Sequence, residues 1–531
     1  MEYPLTLTQI LKRAKRMSGG VGLIGKDSQG KIHSTSYAKS YKRICQLANA
    51  LQKLGIRPGD RVGTFAWNSL EHFELYFAVP GIGAILHTLN IRLFPDQLTY
   101  IVQHAEDRIL FVDVDGVPLV EKIAQNLSTV EKYIIMGAPA HFKTSLTPYQ
   151  HYEELIASES SELDWPALDE RQAAGLCYTS GTTGNPKGAL YSHRSQFLHA
   201  LGISAAETLG IRSTDTILVL VPMFHANAWG IPYAAALVGA RLVLPGRHLK
   251  PADSAQMIQD FGVTIAAGVP TLWMGLLEEL KKGKYKTDSL RALVAGGAAM
   301  PRALIQSFET ELKIPVLHAW GMTELSPLGT CSGLLDTDRE LEAEVRLSRK
   351  ARQGSAAPCM EMRIVDESGV ELEWDGEVYG ELQVRGPWVI SSYFKDTSGE
   401  VQFTPDGWFK TGDAASIDPT GSMMIVDRKK DLIKSGGEWI SSIALENALM
   451  CHEKVQEAAV IGVPDKKWSE RPVALVVLKK GAEVSVTELQ LELLKLFEKF
   501  WIPEVFHFIA EIPKTSVGKF DKKRLRKDYA D

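Results

Sequence analysis

The chain has 531 residues, 45% hydrophobic and 23% charged, with a formal net charge of −5. Such a composition excludes a disordered or fibrous chain and provides for roughly three or four units of about 150 residues each. The mildly acidic balance gives no general attraction for nucleic acid or an anionic membrane, so any polyanion must be held by a local site.

Helical and strand patterns alternate through the first 170 residues. Residues 37–54 carry helical spacing and stop at Gly55; 61–66 read as a strand, 70–80 as a helix and 109–112 as a buried strand. Short apolar runs at 217–221, 241–244, 264–267 and 293–295, each followed by a loop and a helix-like run, continue the pattern. Strands alternating with helices predict parallel α/β layers. Residues 216–240 lack Asp, Glu, Lys and Arg and have the length of a membrane span. Pro222, Asn227 and Pro232 break that run into strand, loop and helix, so no integral membrane segment is expected. Beyond about residue 350, short strands at 362–365 and 380–384 between Gly, Asp and Pro turns predict a β-rich subdomain. The charge cluster Asp427-Arg428-Lys429-Lys430-Asp431 would in most chains be a solvated turn. Here it precedes about 100 residues with their own strands, 458–463 and 473–477, and a helix at 487–500. A hinge near Lys430 is therefore expected, dividing the chain into a large α/β domain, residues 1–428, and a small mobile α+β domain, 429–531.

Five cysteines (Cys45, Cys177, Cys331, Cys359, Cys451) are odd in number and form no Cys-x-x-Cys pair, which argues against a disulfide framework or a zinc site. The amino-terminal stretch MEYPLTLTQILKRAKR has no apolar run behind its charges, so the expected compartment is cytoplasmic.

The stretch Tyr178–Gly188, YTSGTTGNPKG, carries the most chemistry. Glycines let backbone N–H groups close around phosphate oxygens, the hydroxyls of Thr179, Ser180, Thr182 and Thr183 add donors, and Lys187 adds a mobile positive charge. The Gly-Lys-[Ser/Thr] triplet of the common nucleotide loop is missing. In this order, with Gly181 and Gly184 between the hydroxyls, the segment resembles the phosphate loop of the adenylate-forming enzymes: acyl-CoA synthetases, luciferases and peptide-synthetase adenylation domains.

Further segments follow in that family's order across nearly the whole chain. MFHANAW, 223–229, implies that His225 lies between nucleotide, acyl group and thiol channel, and Trp229 resembles the gate residue of fatty acyl-CoA ligases. LVAGGAA, 293–299, implies that Gly296 and Gly297 flank the adenine and carboxylate pocket. In HAWGMTE, 318–324, Ala319, Trp320 and Gly321 match the adenine contacts, Met322 the acyl or CoA channel and Thr323 an α-phosphate donor. Glu324 is a hard oxygen donor suited to Mg²⁺, with Thr179 as a further contact. The family usually has tyrosine where this chain has Trp320; stacking on adenine survives that change, a phenolic hydroxyl contact does not. WFKTGD, 408–413, implies that Asp413 accepts both ribose hydroxyls, with Arg428 as a second ribose or phosphate contact. Beyond the hinge residue Lys430, the segment KSGGEWI, 434–440, places Lys434 at the nucleotide and Gly436, Gly437 and Trp439 along the pantetheine channel. Finally, Pro513-Lys-Thr-x-x-Gly precedes Lys519, the family's signature for the lysine that enters the active site during adenylation.

The implied activity is an ATP-dependent ligase that makes an acyl-adenylate from a medium- or long-chain fatty acid, then the CoA thioester, with release of pyrophosphate and AMP. ATP and coenzyme A are the implied co-substrates and Mg²⁺ the implied metal. An amino acid substrate is disfavoured because residues 223–232 hold no carboxylate for its ammonium. The motifs MFHANAW and HAWGMTE also resemble 3-methylthiopropionate CoA ligases, which leaves a short thioether acid open, as Trp229 leaves an aryl acid. A luciferase-type oxygenase shares these motifs. A nucleotide-binding transporter or sensor without catalysis is the alternative from another class; Lys519, Glu324 and Asp413 together speak against it. Relatives of this pattern include homodimers, so self-association is among the expected partners.

Overall fold

The computed structural model describes residues 3–139, 141–179, 185–333, 340–396, 402–435, 438–515 and 519–529. Among these residues the strands form four sheets. In the first, Gly22–Lys26, Arg241–Leu244, Thr216–Val219, Ile265–Gly268, Ala292–Ala295 and Val316–Gly321 lie parallel in that spatial order. Ile32–Ser36 closes one edge antiparallel, and Leu328–Cys331 with Ser355–Ala356 the other. In the second sheet, Ala173–Tyr178, Ile85–Thr88, Arg61–Phe65, Asp107–Asp113, Lys132–Met136 and Tyr149–His151 are parallel in order. Gly188–Ser192 and Tyr393–Phe394 extend it antiparallel beyond Ala173–Tyr178.

The central strands of both sheets are short, mostly apolar and buried, as strands covered on both faces are. Val62, Leu86 and Ile109 of one sheet and Ile217, Leu242 and Val294 of the other share one apolar core with the helices Leu7–Ser18, Tyr37–Lys53, Leu70–Gly81, His193–Ser204 and Ile231–Val238. Ser36 and Ser69 cap their helices by accepting the amide N–H three residues on. Residues 216–240 resolve into a strand, a short turn and a helix, and among the described residues no helix is long and apolar enough to cross a membrane.

The expected β-rich region is an antiparallel sheet of Glu361–Val365, Tyr379–Arg385, Phe409–Ile417 and Met423–Arg428. A fourth sheet follows, built on the long hairpin Val455–Asp465 and Ser469–Leu478. The helices Ser442–Met450 and Val486–Leu494 pack on one side of that hairpin and Lys522–Tyr529 on the other, each with its own apolar cluster. The helix expected over 487–500 ends at Leu494. Beyond it the Arg471 guanidinium donates to the carbonyls of Phe500 and Ile502, and Phe497 stacks on Trp501 with centroids 5.4 Å apart.

The cluster 427–431 is not a solvated turn throughout. Asp427 is buried, and its carboxylate accepts from the backbone N–H and the hydroxyl of Ser442. Lys522 reaches the same serine and pairs with the buried Glu446 at 2.7 Å. Burial outweighs that pairing for Glu446 and pushes its pKa up to about 7.

Candidate active site

In parallel α/β sheets ligands sit beyond the carboxyl ends of the strands, and here several such ends converge on one cavity of about 680 Å³. Thr179 and Lys187 reach it from the hairpin Ala173–Tyr178 and Gly188–Ser192; Gly296 and Gly297 follow Ala292–Ala295; Ala319, Trp320 and Gly321 end Val316–Gly321. Met322, Thr323, Glu324, His225, Trp229, Arg428, Lys430 and Lys519 complete the sequence-predicted lining. One cavity thus gathers residues spread over 340 positions, from Thr179 to Lys519.

The neck of the phosphate loop is closed in both directions. Thr179 N–H donates to the Lys187 carbonyl at 2.9 Å, and Lys187 N–H donates to Thr179 Oγ1 at 3.2 Å. Ser180, Gly181, Thr182, Thr183 and Gly184 lie outside the described residues. Lys187 Nζ stands 5.2 Å from the centre of the Tyr393 ring and 3.9 Å from Asp396. Glu324 sits in the short turn Thr323–Leu325, with the Tyr393 hydroxyl donating to its Oε1 at 2.6 Å. The Tyr191 hydroxyl holds the Thr323 carbonyl at 2.6 Å. Among the described residues no group of three or more His, Cys, Asp and Glu could cage a metal ion. The single carboxylate of Glu324 is a hard oxygen donor that fits Mg²⁺, a cation that keeps waters and takes phosphate oxygens as ligands.

Asp413 lies just behind the wall, 2% exposed. Trp320 Nε1–H donates to its Oδ2 at 2.9 Å, and Arg428 Nε lies 2.7 Å from its Oδ1. Proximity to Asp413 holds the Arg428 guanidinium firmly charged. The Thr515 hydroxyl accepts the Lys519 N–H. Burial first, then the Arg428 charge, draws the Lys519 amine down to about 8, with Asp413 and Glu324 pulling the other way. Burial likewise lowers His225 to about 4, helped by the charges of Lys519 and Arg92, so this imidazole is neutral at pH 7.

The segment around Trp229 has an unusual backbone. Ala226, Asn227, Ala228 and Trp229 have φ of 41°, 52°, 49° and 56°, and Gly230 follows at 70°. A left-handed turn costs an L-residue about 1–2 kcal/mol per position, so tertiary contacts must hold it. Asn227 is fully buried, and its Oδ1 accepts from Cys177 Sγ at 3.1 Å. Gly230 must be glycine, since a Cβ there would stand 2.5 Å from His199 Nδ1. The turn lays the Trp229 ring against Gly296, whose missing side chain makes the room. Trp229, His225, Gly297 and Lys519 also wall a second cavity of about 90 Å³, otherwise lined by residues such as Leu220, Val221, Val269, Leu272 and Arg92.

Lys434 and Trp439 are not part of the main cavity's lining; the Lys434 ammonium lies over the Trp439 ring at 5.1 Å. Gly436 and Gly437 lie outside the described residues. Sequence reasoning missed Tyr393, Asp396 and Arg92, which sit in no glycine-rich or hydroxyl-rich motif and meet the site only through the fold.

Residues 12–394 match the AMP-binding enzyme family and residues 444–519 its C-terminal domain. The chain is 44% identical over 531 residues to a long-chain-fatty-acid–CoA ligase of Thermus thermophilus, covering all of this chain and 96% of that one. It is 42% identical over 536 residues to a 3-methylmercaptopropionyl-CoA ligase of Ruegeria lacuscaerulensis, covering all of this chain and 98% of the relative. Among solved structures, the anthranilate CoA ligase AuaEII in complex with anthranoyl-AMP superposes with a TM-score of 0.89 at 26% identity over 99% of both chains. The chain belongs to the AMP-binding enzyme family as an AMP-forming acyl-CoA synthetase.

Proposed function

We propose that the acid activated here is a medium- or long-chain fatty acid, held with its carboxylate towards Lys519 and Thr323. The observation that carries this reading is the apolar part of the cavity's lining. Ile203, Leu209, Val294 and Leu328 line it without an acidic or basic partner among them, as an apolar tail needs. The carboxylate oxygen attacks the α-phosphorus, the bond to the bridging oxygen breaks, and pyrophosphate leaves. Negative charge gathers on the phosphates in that step, and Lys187, Lys519 and the Thr323 hydroxyl, which line the cavity, are donors placed beforehand. Glu324 and the second lone pair of Thr179 would hold Mg²⁺, which supplies further charge neutralisation when bound. Asp413 and Arg428 take the ribose, and Trp320 covers the adenine.

In the second half-reaction the CoA sulfur attacks the adenylate carbonyl, the carbonyl–phosphate bond breaks, and AMP leaves. The small domain, residues 429–531, turns about Lys430 for this step, withdraws Lys519 and presents the Gly436–Gly437 loop and Trp439 to the pantetheine arm. Lys434 reaches the site only in that second arrangement. The protein works in the cytoplasm, as a homodimer.

A second substrate reading is a short thioether acid, favoured by the full-length similarity to the Ruegeria ligase. Each methylene buried contributes about 0.8 kcal/mol, so chain-length preference is a steep readout. A thioester-formation screen over linear acids of two to eighteen carbons, benzoate and 3-methylthiopropionate decides. A kcat/KM maximum between eight and eighteen carbons supports the proposal. A maximum at 3-methylthiopropionate or benzoate overturns it.

A further inference from the structure

Trp320 occupies its place because of an irregularity in the neighbouring strand. Trp320 pairs with Thr330 and Gly321 with Leu328, which leaves Gly329 as the extra residue of a bulge. Bulges re-aim the side chains around them. Gly329 lies directly under the indole: a Cβ there would stand 2.3 Å from Trp320 Cζ3 and 2.5 Å from Cε3. Its φ is not in the positive range, so the glycine serves the ring and not the backbone.

Seated on that glycine, the ring aims Nε1–H at Asp413 Oδ2, 93 residues away in sequence. The other oxygen behaves differently. Among the described residues Asp413 Oδ1, which is buried, accepts no hydrogen bond, because Arg428 Nε, although 2.7 Å away, approaches off the donor axis. The Arg428 side chain is 41% exposed and the tryptophan 8%, which leaves the guanidinium more room to shift than the indole. A buried carboxylate with one oxygen tied down and one open acceptor, under a displaceable cover, is arranged to receive a hydroxyl.

We propose that Trp320 is a positioning residue for nucleotide selection. Its indole N–H anchors Asp413 through Oδ2, so that Oδ1 is presented to a hydroxyl of the sugar once Arg428 yields. Gly329 is part of the same device, because any side chain there dislodges the ring. The inference rests on the reading of Asp413 as the ribose carboxylate.

The test is equilibrium binding of ATP, 2′-deoxy-ATP and 3′-deoxy-ATP to the full chain without acid, for wild type, Trp320→Phe, Gly329→Ala and Asp413→Asn. A charge-assisted hydrogen bond is typically worth a factor of about 10 or more. Wild type is expected to prefer ATP over at least one deoxy analogue by about that factor. Trp320→Phe keeps an aromatic face but no donor; it should lose about 10-fold for ATP and less than about 2-fold for that analogue. Gly329→Ala should reproduce this pattern, which keeps the proposal testable if Trp320→Phe folds poorly, and Asp413→Asn should abolish the preference. Equal losses for all three nucleotides in Trp320→Phe or Gly329→Ala overturn the proposal and leave Trp320 a stacking surface. A wild type that binds all three equally overturns the underlying assignment of Asp413 to the sugar.

Discussion

Lys519→Ala separates the two half-reactions by an amount that follows from the lysine's surroundings. The ammonium has lost water on entering the cavity and faces the Arg428 charge, which brings its pKa from 10.5 to about 8. That drop corresponds to about 3 kcal/mol withheld from the charged form. A nucleotide phosphate returns at least this much as its charge develops, so removing the amine should slow adenylation by at least about 100-fold. The assay is acid-dependent exchange of labelled pyrophosphate into ATP, set beside thioester formation from synthetic acyl-adenylate and CoA. Exchange should collapse while the second reaction stays within about 3-fold of wild type. Equal loss of both, or unchanged exchange, refutes the reasoning. The same lysine sets a pH dependence. The charged form is the active one, so exchange in the free enzyme falls as pH rises through about 8, and Lys519→Arg should remove that fall. The unfolded chain keeps this proton up to about pH 10.5. This residue's contribution to stability therefore rises between pH 8 and 10.5, and Lys519→Ala should flatten that rise.

Three further outcomes test other parts of the site. Ala228→Gly relieves one left-handed position and should raise unfolding stability by about 1 kcal/mol, whereas Ala228→Val, β-branched and fully buried, should cost about 3 kcal/mol or more; urea denaturation reads both. Asp427→Ala cuts the buried link to Ser442 across the proposed hinge, and is expected to lower pyrophosphate exchange more than thioester formation. Tyr393→Phe removes the hydroxyl from Glu324 and should raise the half-saturating Mg²⁺ concentration by about 10-fold with an unchanged melting temperature.

Much of the site was legible because its chemistry is written in local sequence. Thr179, Lys187, Gly296, Gly297, Glu324 and Lys519, each picked from a local motif, line one cavity, and the unbroken apolar runs at 217–221 and 293–295 announce covered parallel strands. What stayed hidden depends on distant partners. Ala226, Asn227, Ala228 and Trp229 carry no local preference for a left-handed turn; Cys177, Thr88 and the core impose it. The hydrogen bond from Trp320 to Asp413 joins two strands of different sheets and could not be read from either motif. The helix expected over 487–500 ends at Leu494, and the tertiary contacts of 497–502, with Phe497 stacked on Trp501 and Arg471 bonded to two carbonyls, do not show in periodicity. The charges at 427–431 suggested a hinge, but nothing in their spacing marked Asp427 as buried beneath Ser442.

The central claim is that one nucleotide cleft serves two half-reactions by turning a small domain about Lys430. Nature has left convenient reporters: Cys359 and Cys451 are exposed, one on either side of the proposed hinge, while Cys45, Cys177 and Cys331 are buried. Spin labels on those two native thiols allow their separation to be measured by double electron–electron resonance. The account predicts one distance with ATP bound and a clearly different one with a non-hydrolysable acyl-adenylate analogue plus CoA. A single, unchanged distance under both conditions would contradict it.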